Sequence, residues 1–291
     1  MWVEPIAFEI GSLAVHWYGI FIVIGALTGL YISIREGKKI GVNEDFIYNG
    51  LIICLPLAIV GARLWYVLFN LDSFDSFAEV IGLKGGFSGL AIQGAVLVAI
   101  IFALVYCHVK KTSAYKTLDL LAPGLLVAQV IGRWGNFCNH ELYGQAIGNV
   151  ALFQKLLPSF ITNNMYISGR YLLPGLTAGY YHPMFLYESS LNFLGLIIIF
   201  ILRRKAKNLE SGDFLGFYLI WYGVVRTITE TFRHEGEVLL LGNIRVSIAL
   251  SIIFIIAGAL FLVLKRIKGK RILYQDLIIP VMVKPKAKPH K

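Results

Sequence analysis

Long apolar runs alternate with short polar breaks along nearly the whole chain. Seven stand out: Leu13–Ile34, Phe46–Asn70, Ser88–His108, Thr117–Phe137, Pro183–Leu202, Phe214–Thr231 and Val246–Leu264. Each has roughly the 17–25 residues an α-helix needs to cross about 30 Å of hydrocarbon. Pro56 and Pro123 fall inside the second and fourth runs, and membrane helices tolerate such breaks when neighbours satisfy the freed carbonyls. The pattern predicts an all-α polytopic membrane protein with seven transmembrane helices. The sizeable segment between spans four and five, about residues 138–182, predicts a loop module. Its stretch "ALFQKLLPSFITNN" reads equally as a surface helix on the bilayer or as an ordinary loop helix.

Basic residues orient these spans. Arg35, Lys38 and Lys39 follow span one; Lys110, Lys111 and Lys116 follow span three; Arg203, Arg204, Lys205 and Lys207 follow span five. With those after span seven, 19 of the 27 lysines and arginines lie on one side, which the positive-inside rule makes cytoplasmic. The N-terminus is then outside, the C-terminus inside and the loop module extracytoplasmic. Residues 1–270 read as one integral-membrane domain and 271–291 as a basic cytoplasmic tail. That tail, ending "KPKAKPHK", suits anionic headgroups, at about 1 kcal/mol per basic residue near the surface, rather than nucleic acid.

Composition agrees: 57% of the 291 residues are hydrophobic and 15% charged, against about 25% charged in soluble domains. The residues before the first run carry Glu4 and Glu9 but no lysine or arginine, unlike the basic start of a cleavable leader. Cys54, Cys107 and Cys138 are far apart, so neither a disulfide framework nor a zinc site is indicated.

Three arginines lie inside spans, where a charge costs at least ~3 kcal/mol and marks a site or pathway. At about 1.5 Å per residue, Arg63, Arg133 and Arg226 lie roughly 26, 24 and 18 Å from the cytoplasmic ends of their spans, all in the outer half. Tyr18 and Gln93 fall at a similar level. Tyr222, Arg226, Glu230 and Arg233 share one helical face. Arg133 and Asn136 share another, beside Gly132 and Gly135, with Glu141 just beyond. Two arginines at one depth make a fork-shaped anion site, and the anion at that depth is a lipid phosphate. Arg63 reads equally as a snorkelling side chain, and Trp17 and Tyr18 also fit an aromatic belt. His140 and His182 flank the loop module, where packing and a site role are equally open. Asp119, near the cytoplasmic end of span four, reads as a structural hydrogen-bonding residue.

These motifs carry a resemblance. "GRWGNFCNHELYG" matches every fixed position of G-R-x-G-N-F-x-N-x-E-x-x-G, the signature of bacterial prolipoprotein diacylglyceryl transferases. "HWYG", "GARLWYVLF", "HPMFLYES" and "YGVVRTITETFR" resemble that family's other segments in the right order, so the resemblance covers most of the chain. It implies an enzyme of the bacterial plasma membrane that moves the sn-1,2-diacylglyceryl group of phosphatidylglycerol to the lipobox cysteine of a prolipoprotein signal peptide. A thioether forms and glycerol 1-phosphate leaves, with no metal or cofactor. Tyr18, Arg133, Asn136, Glu141, Arg226 and Glu230 become the expected catalytic residues. Arg133, Arg226, Asn136, Asn139, Tyr222, Gly144 and Arg63 become the expected phosphatidylglycerol contacts, joined by Gln93 for its depth and His182 for its place beside the loop module, with Glu141 and Glu230 orienting the arginines. Where many members have G-G-[LIM]-[AS]-[IF]-H-G-G, this chain has "SGLAIQGA". Gln93 cannot titrate, so either that position only hydrogen-bonds or the thiol's base lies elsewhere: a phosphate oxygen, Glu141 or His182. The alternative function is a flippase or transporter for an anionic lipid or solute, built on the same arginines.

Overall fold

The computed structural model describes residues 3–11, 13–81, 89–234, 240–241, 244–268 and 272–278. Lys84, Ser88 and the basic tail from residue 279 lie outside them. A hairpin of β1 (Ile6–Ile10) and β2 (Leu13–His16) leads into α1 (Trp17–Lys39). There follow α2 (Glu44–Leu68), the short α3 (Phe77–Val80), α4 (Ile92–Val109) and α5 (Ala114–Asn139). The loop module holds α6 (Val150–Leu156), α7 (Ser159–Asn164), β3 (Tyr166–Ile167) and β4 (Gly179–Tyr180). After it come α8 (Met184–Lys205), α9 (Asp213–Thr231), a hairpin of β5 (Leu240–Leu241) and β6 (Ile244–Arg245), and α10 (Val246–Lys268).

All seven apolar runs form helices. Six of them are long and apolar enough to cross a membrane; α9 is of similar length, but Asp213, Arg226 and Glu230 dilute its apolarity. The first helix begins later than the apolar run, because Leu13–His16 pairs as a strand. It also continues past Ile34, because Glu36 is buried against Arg203 of α8, 3.3 Å away. The stretch "ALFQKLLPSFITNN" becomes two helices, broken at Pro158. Phe153 and Ile161 pack them into a core with Phe137, Tyr143, Met165, Ile167 and Tyr181.

Helix α5 is the axis of the bundle, packing on α1, α8 and α9. Its crossing with α1 is tight: a Cβ on Gly29 would stand 2.8 Å from the carbonyl oxygen of Gly124, so small residues set the approach. On α2, α4 and α10 the apolar side chains Ile52, Leu64, Ile100 and Ile256 remain exposed, as expected of lipid-facing surfaces.

One end of the bundle fixes the height of α9. The Asp119 carboxylate of α5 accepts backbone N–H bonds from Gly212 (2.6 Å), Phe214 (3.1 Å) and Leu215 (3.3 Å). It thereby satisfies donors that a helix start leaves open and complements the helix dipole. Asp119 thus has the structural hydrogen-bonding role expected of it. Lys265 of α10 pairs with Asp213 at 2.6 Å. From that anchor, a rise of ~1.5 Å per residue brings Arg226 and Glu230 to the opposite end, level with the end of α5 and the start of α8.

Candidate active site

At that opposite end, three helices direct charge at one point. Its centre is Glu188, in the second turn of α8, with 4% side-chain exposure. One of its oxygens, Oε2, accepts from Nη2 of Arg133 on α5. The other, Oε1, accepts from Nη1 of Arg226 on α9 at 3.2 Å. Arg233, just past the end of α9, has Nη2 3.8 Å from the same Oε1. Glu230, fully buried, holds Nη2 of Arg226 at 3.2 Å, one turn along α9. Burying so many charges is tolerable only because each has an opposite neighbour.

The signature segment supplies the lip of this cluster. Arg133 Nη1 donates to Asn136 Oδ1 at 3.4 Å, and Asn136 Nδ2 donates to Glu141 Oε1 at 2.7 Å. The helix ends at His140 with a left-handed residue, φ 54°, and this turn brings Glu141 back over Asn136. Glu141 is exposed and, among the described residues, no arginine pairs with it; the expectation that it orients an arginine is replaced by a contact with Asn136. Glu230 is in direct ion-pair contact with Arg226. A small cavity beside this lip, lined by Asn136, Glu141, His140 and Met184, has a volume of about 10 Å³, room for about one water.

The chain after the lip stitches α8 and α9 together. Gly144 N donates to His182 O at 2.9 Å, and Gln145 N donates to Phe232 O at 2.9 Å. Gly144 also lies opposite Arg233 in a β-bridge. A Cβ on Gly144 would stand 2.7 Å from Phe232 O and 2.8 Å from His182 Cβ, so only glycine fits. His182 has Nδ1 2.9 Å from the Tyr187 hydroxyl, and burial lowers its imidazole below the usual range.

The remaining expected residues are more dispersed. Tyr18 lies in the first turn of α1 with its ring against Gly135 of α5, at the same end of the bundle. Tyr222 is further down α9, stacked on Tyr218 and edge-on to Phe254. Asn139 has a buried Oδ1 with no hydrogen-bond partner among the described residues. Gln93 is exposed at the start of α4. Arg63 does not join the Glu188 cluster; it donates to the carbonyls of Glu79 (2.6 Å), Val80 (2.8 Å) and Gly89 (3.0 Å), and its guanidinium lies 5.0 Å from the Phe74 ring centre. It ties down the segment that joins α2 to α4.

Sequence reasoning passed over Glu188 and gave Arg233 no role. The signal was present, because an acid inside "FLYESSLNF" is as costly in a span as an arginine. Weighing acids mainly as neighbours in sequence of the span arginines hid it. Among the described residues no cluster of His, Cys, Asp and Glu suits a metal ion.

Residues 5–264 match the sequence model of a family described as prolipoprotein diacylglyceryl transferase. A phosphatidylglycerol–prolipoprotein diacylglyceryl transferase of Bacillus licheniformis is 38% identical over 276 residues, covering 94% of this chain and 97% of its own. A protein of the same name from Streptococcus pyogenes serotype M5 is 41% identical over 273 residues, covering 94% of this chain and 98% of its own.

Proposed function

This chain belongs to the prolipoprotein diacylglyceryl transferase family, and on that premise we propose that it transfers the sn-1,2-diacylglyceryl group of phosphatidylglycerol to the lipobox cysteine of prolipoproteins. The observation that carries the reading is the convergence of Arg133 from α5 and Arg226 from α9 on a single carboxylate. Two guanidinium groups held that way form a preorganised seat for a phosphodiester. On this reading the site faces the outer leaflet, because most of the described basic residues lie toward the other end of the bundle, which the positive-inside rule makes cytoplasmic.

The reaction is a displacement at carbon. The cysteine sulfur bonds to the sn-3 carbon of the glycerol backbone, and the bond from that carbon to the phosphate oxygen breaks. The bonding pair stays on that oxygen, so glycerol 1-phosphate departs carrying new negative charge. Arg133 and Arg226 meet the growing charge with oriented donors, the electrostatic contribution that is usually largest. Glu230 fixes the angle of Arg226, and Asn136 and Tyr18 bond the glycerol or phosphate oxygens.

The nucleophile is a thiolate, and a free thiol has a pKa of about 8.5. Three arginines against Glu188 and Glu230 leave the cluster net positive, which favours the thiolate. Glu141 takes the thiol proton: it is an exposed carboxylate at the lip, aimed by Asn136 and, among the described residues, paired with no arginine. Gln93 then needs no acid–base role.

The test is incubation of the purified protein with phosphatidylglycerol and a synthetic signal peptide containing a lipobox cysteine. Mass spectrometry should show one diacylglyceryl group on that cysteine and release of glycerol phosphate. An unmodified cysteine, or lipid movement across vesicles without adduct, would refute the reading.

A further inference from the structure

The two arginines have no free pair of terminal nitrogens. Arg133 gives Nη1 to Asn136 and Nη2 to Glu188; Arg226 gives Nη1 to Glu188 and Nη2 to Glu230. Each of these nitrogens keeps a second N–H, but the position that bridges the two guanidinium groups is taken by Glu188, so a phosphodiester that is to bridge them there must displace it. Asn136 and Glu230 each engage one arginine. Glu188 alone engages both, one carboxylate oxygen to each guanidinium, which is the same two-oxygen bite that a phosphodiester's non-bridging oxygens offer.

A second observation points to the same exchange. Arg233 is 6% exposed, and its Nε is buried with no hydrogen-bond partner among the described residues. Its Nη2 lies 3.8 Å from Glu188 Oε1, too long for a good hydrogen bond but within ion-pair reach. A buried charged donor left open costs free energy, so the cluster holds one cation ready for another anionic oxygen.

We propose that Glu188 is an internal stand-in for the lipid phosphate, a carboxylate that neutralises Arg133 and Arg226 in the empty site and moves onto Arg233 when phosphatidylglycerol arrives. This rests on the phosphatidylglycerol reading above. The exchange keeps the arginines from being buried uncompensated between turnovers, and it moves one carboxylate between cationic partners rather than exposing it. Glu188 is thus a positioning residue. It also weakens binding of the lipid, which competes with a tethered anion for the same donors.

The experiment compares wild type, Glu188→Gln and Glu188→Asp in phosphatidylcholine nanodiscs titrated with phosphatidylglycerol, reading half-saturation, melting temperature and transfer to a lipobox peptide. With the competitor neutralised, Glu188→Gln should bind phosphatidylglycerol about tenfold tighter, since apparent affinity is reduced by the fraction of time the site is closed. Its melting temperature without the lipid should fall below wild type, and the rise on adding it should exceed that of wild type. Glu188→Asp, too short to bridge both arginines, should shift half-saturation the same way by a smaller factor. A purely scaffolding role for Glu188 predicts the reverse, because loosened arginines bind the lipid more weakly. Unchanged or weaker binding in Glu188→Gln overturns the exchange; should that variant fail to fold, the same result in Glu188→Asp does so. Absence of transfer by wild type would instead sink the functional reading, whatever the variants bind.

Discussion

Gly144→Ala perturbs the site without removing any functional group. The new methyl would stand 2.8 Å from the Cβ of His182 and 2.7 Å from the Phe232 carbonyl oxygen. The first is about 0.7 Å inside the ~3.5 Å at which carbon atoms touch. Both neighbours are backbone-anchored, one leading into α8 and the other into Arg233, so neither can yield by a rotamer change. The strain, about 1–3 kcal/mol for an overpacked position, is relieved by moving Arg233 and the start of α8 apart. Displacement approaching 1 Å at reacting groups costs about 10²-fold in rate. Transfer of the diacylglyceryl group to a lipobox peptide should therefore fall by about two orders of magnitude, with the melting temperature lowered only a few degrees. Gly148→Ala is the control, since nothing lies within 4 Å of a Cβ there; it should match wild type. Near-normal turnover of Gly144→Ala would refute the claim that this segment sets the geometry of the arginine cluster.

Other outcomes follow from the same contacts. Arg226→Lys keeps the charge but cannot reach both Glu188 and Glu230, each 3.2 Å from a different nitrogen, and should lose roughly 10²–10³ in turnover; turnover near wild type would exclude the two-pronged grip. Because burial lowers His182 from 6.5, the unfolded chain takes up its proton first as pH falls. Stability contributed there is present above pH ~6.5 and lost below it until the lower folded value is passed. Melting curves between pH 5 and 8 should show this, and His182→Gln should flatten the acid limb; an unchanged limb contradicts it. Arg63→Met removes at least the bonds to the carbonyls of Glu79, Val80 and Gly89, about 3 kcal/mol or more. It should lower the melting temperature while leaving KM for phosphatidylglycerol near wild type, and a raised KM with unchanged melting would assign Arg63 to the lipid instead.

The spans were legible because a hydrocarbon solvent forces long apolar runs into helices, and the charge count separated one end of the bundle from the other. Asp119 was readable as structural from its place near a span's end. What the pattern could not carry is which faces meet. Arg63 looks like Arg133 in a hydropathy trace, yet its partners are carbonyls 16 to 26 residues along the chain, fixed by a loop with no periodicity. Glu141 was expected to brace an arginine because it stands near one in sequence. The left-handed turn at His140 aims it at Asn136 instead. Glu188 lies more than 50 residues from Arg133, and only the packing of α5 against α8 joins them.

Arg133 and Arg226 are held to act as one clamp on a single anion, and a double-mutant cycle on transfer rate tests this most directly. Each alanine substitution alone should cost about 10²–10³ in kcat/KM, and the double substitution little more than either, because residues acting as a unit are strongly non-additive. If the double variant instead loses the product of the two single effects, the arginines work independently and the shared phosphate seat is wrong.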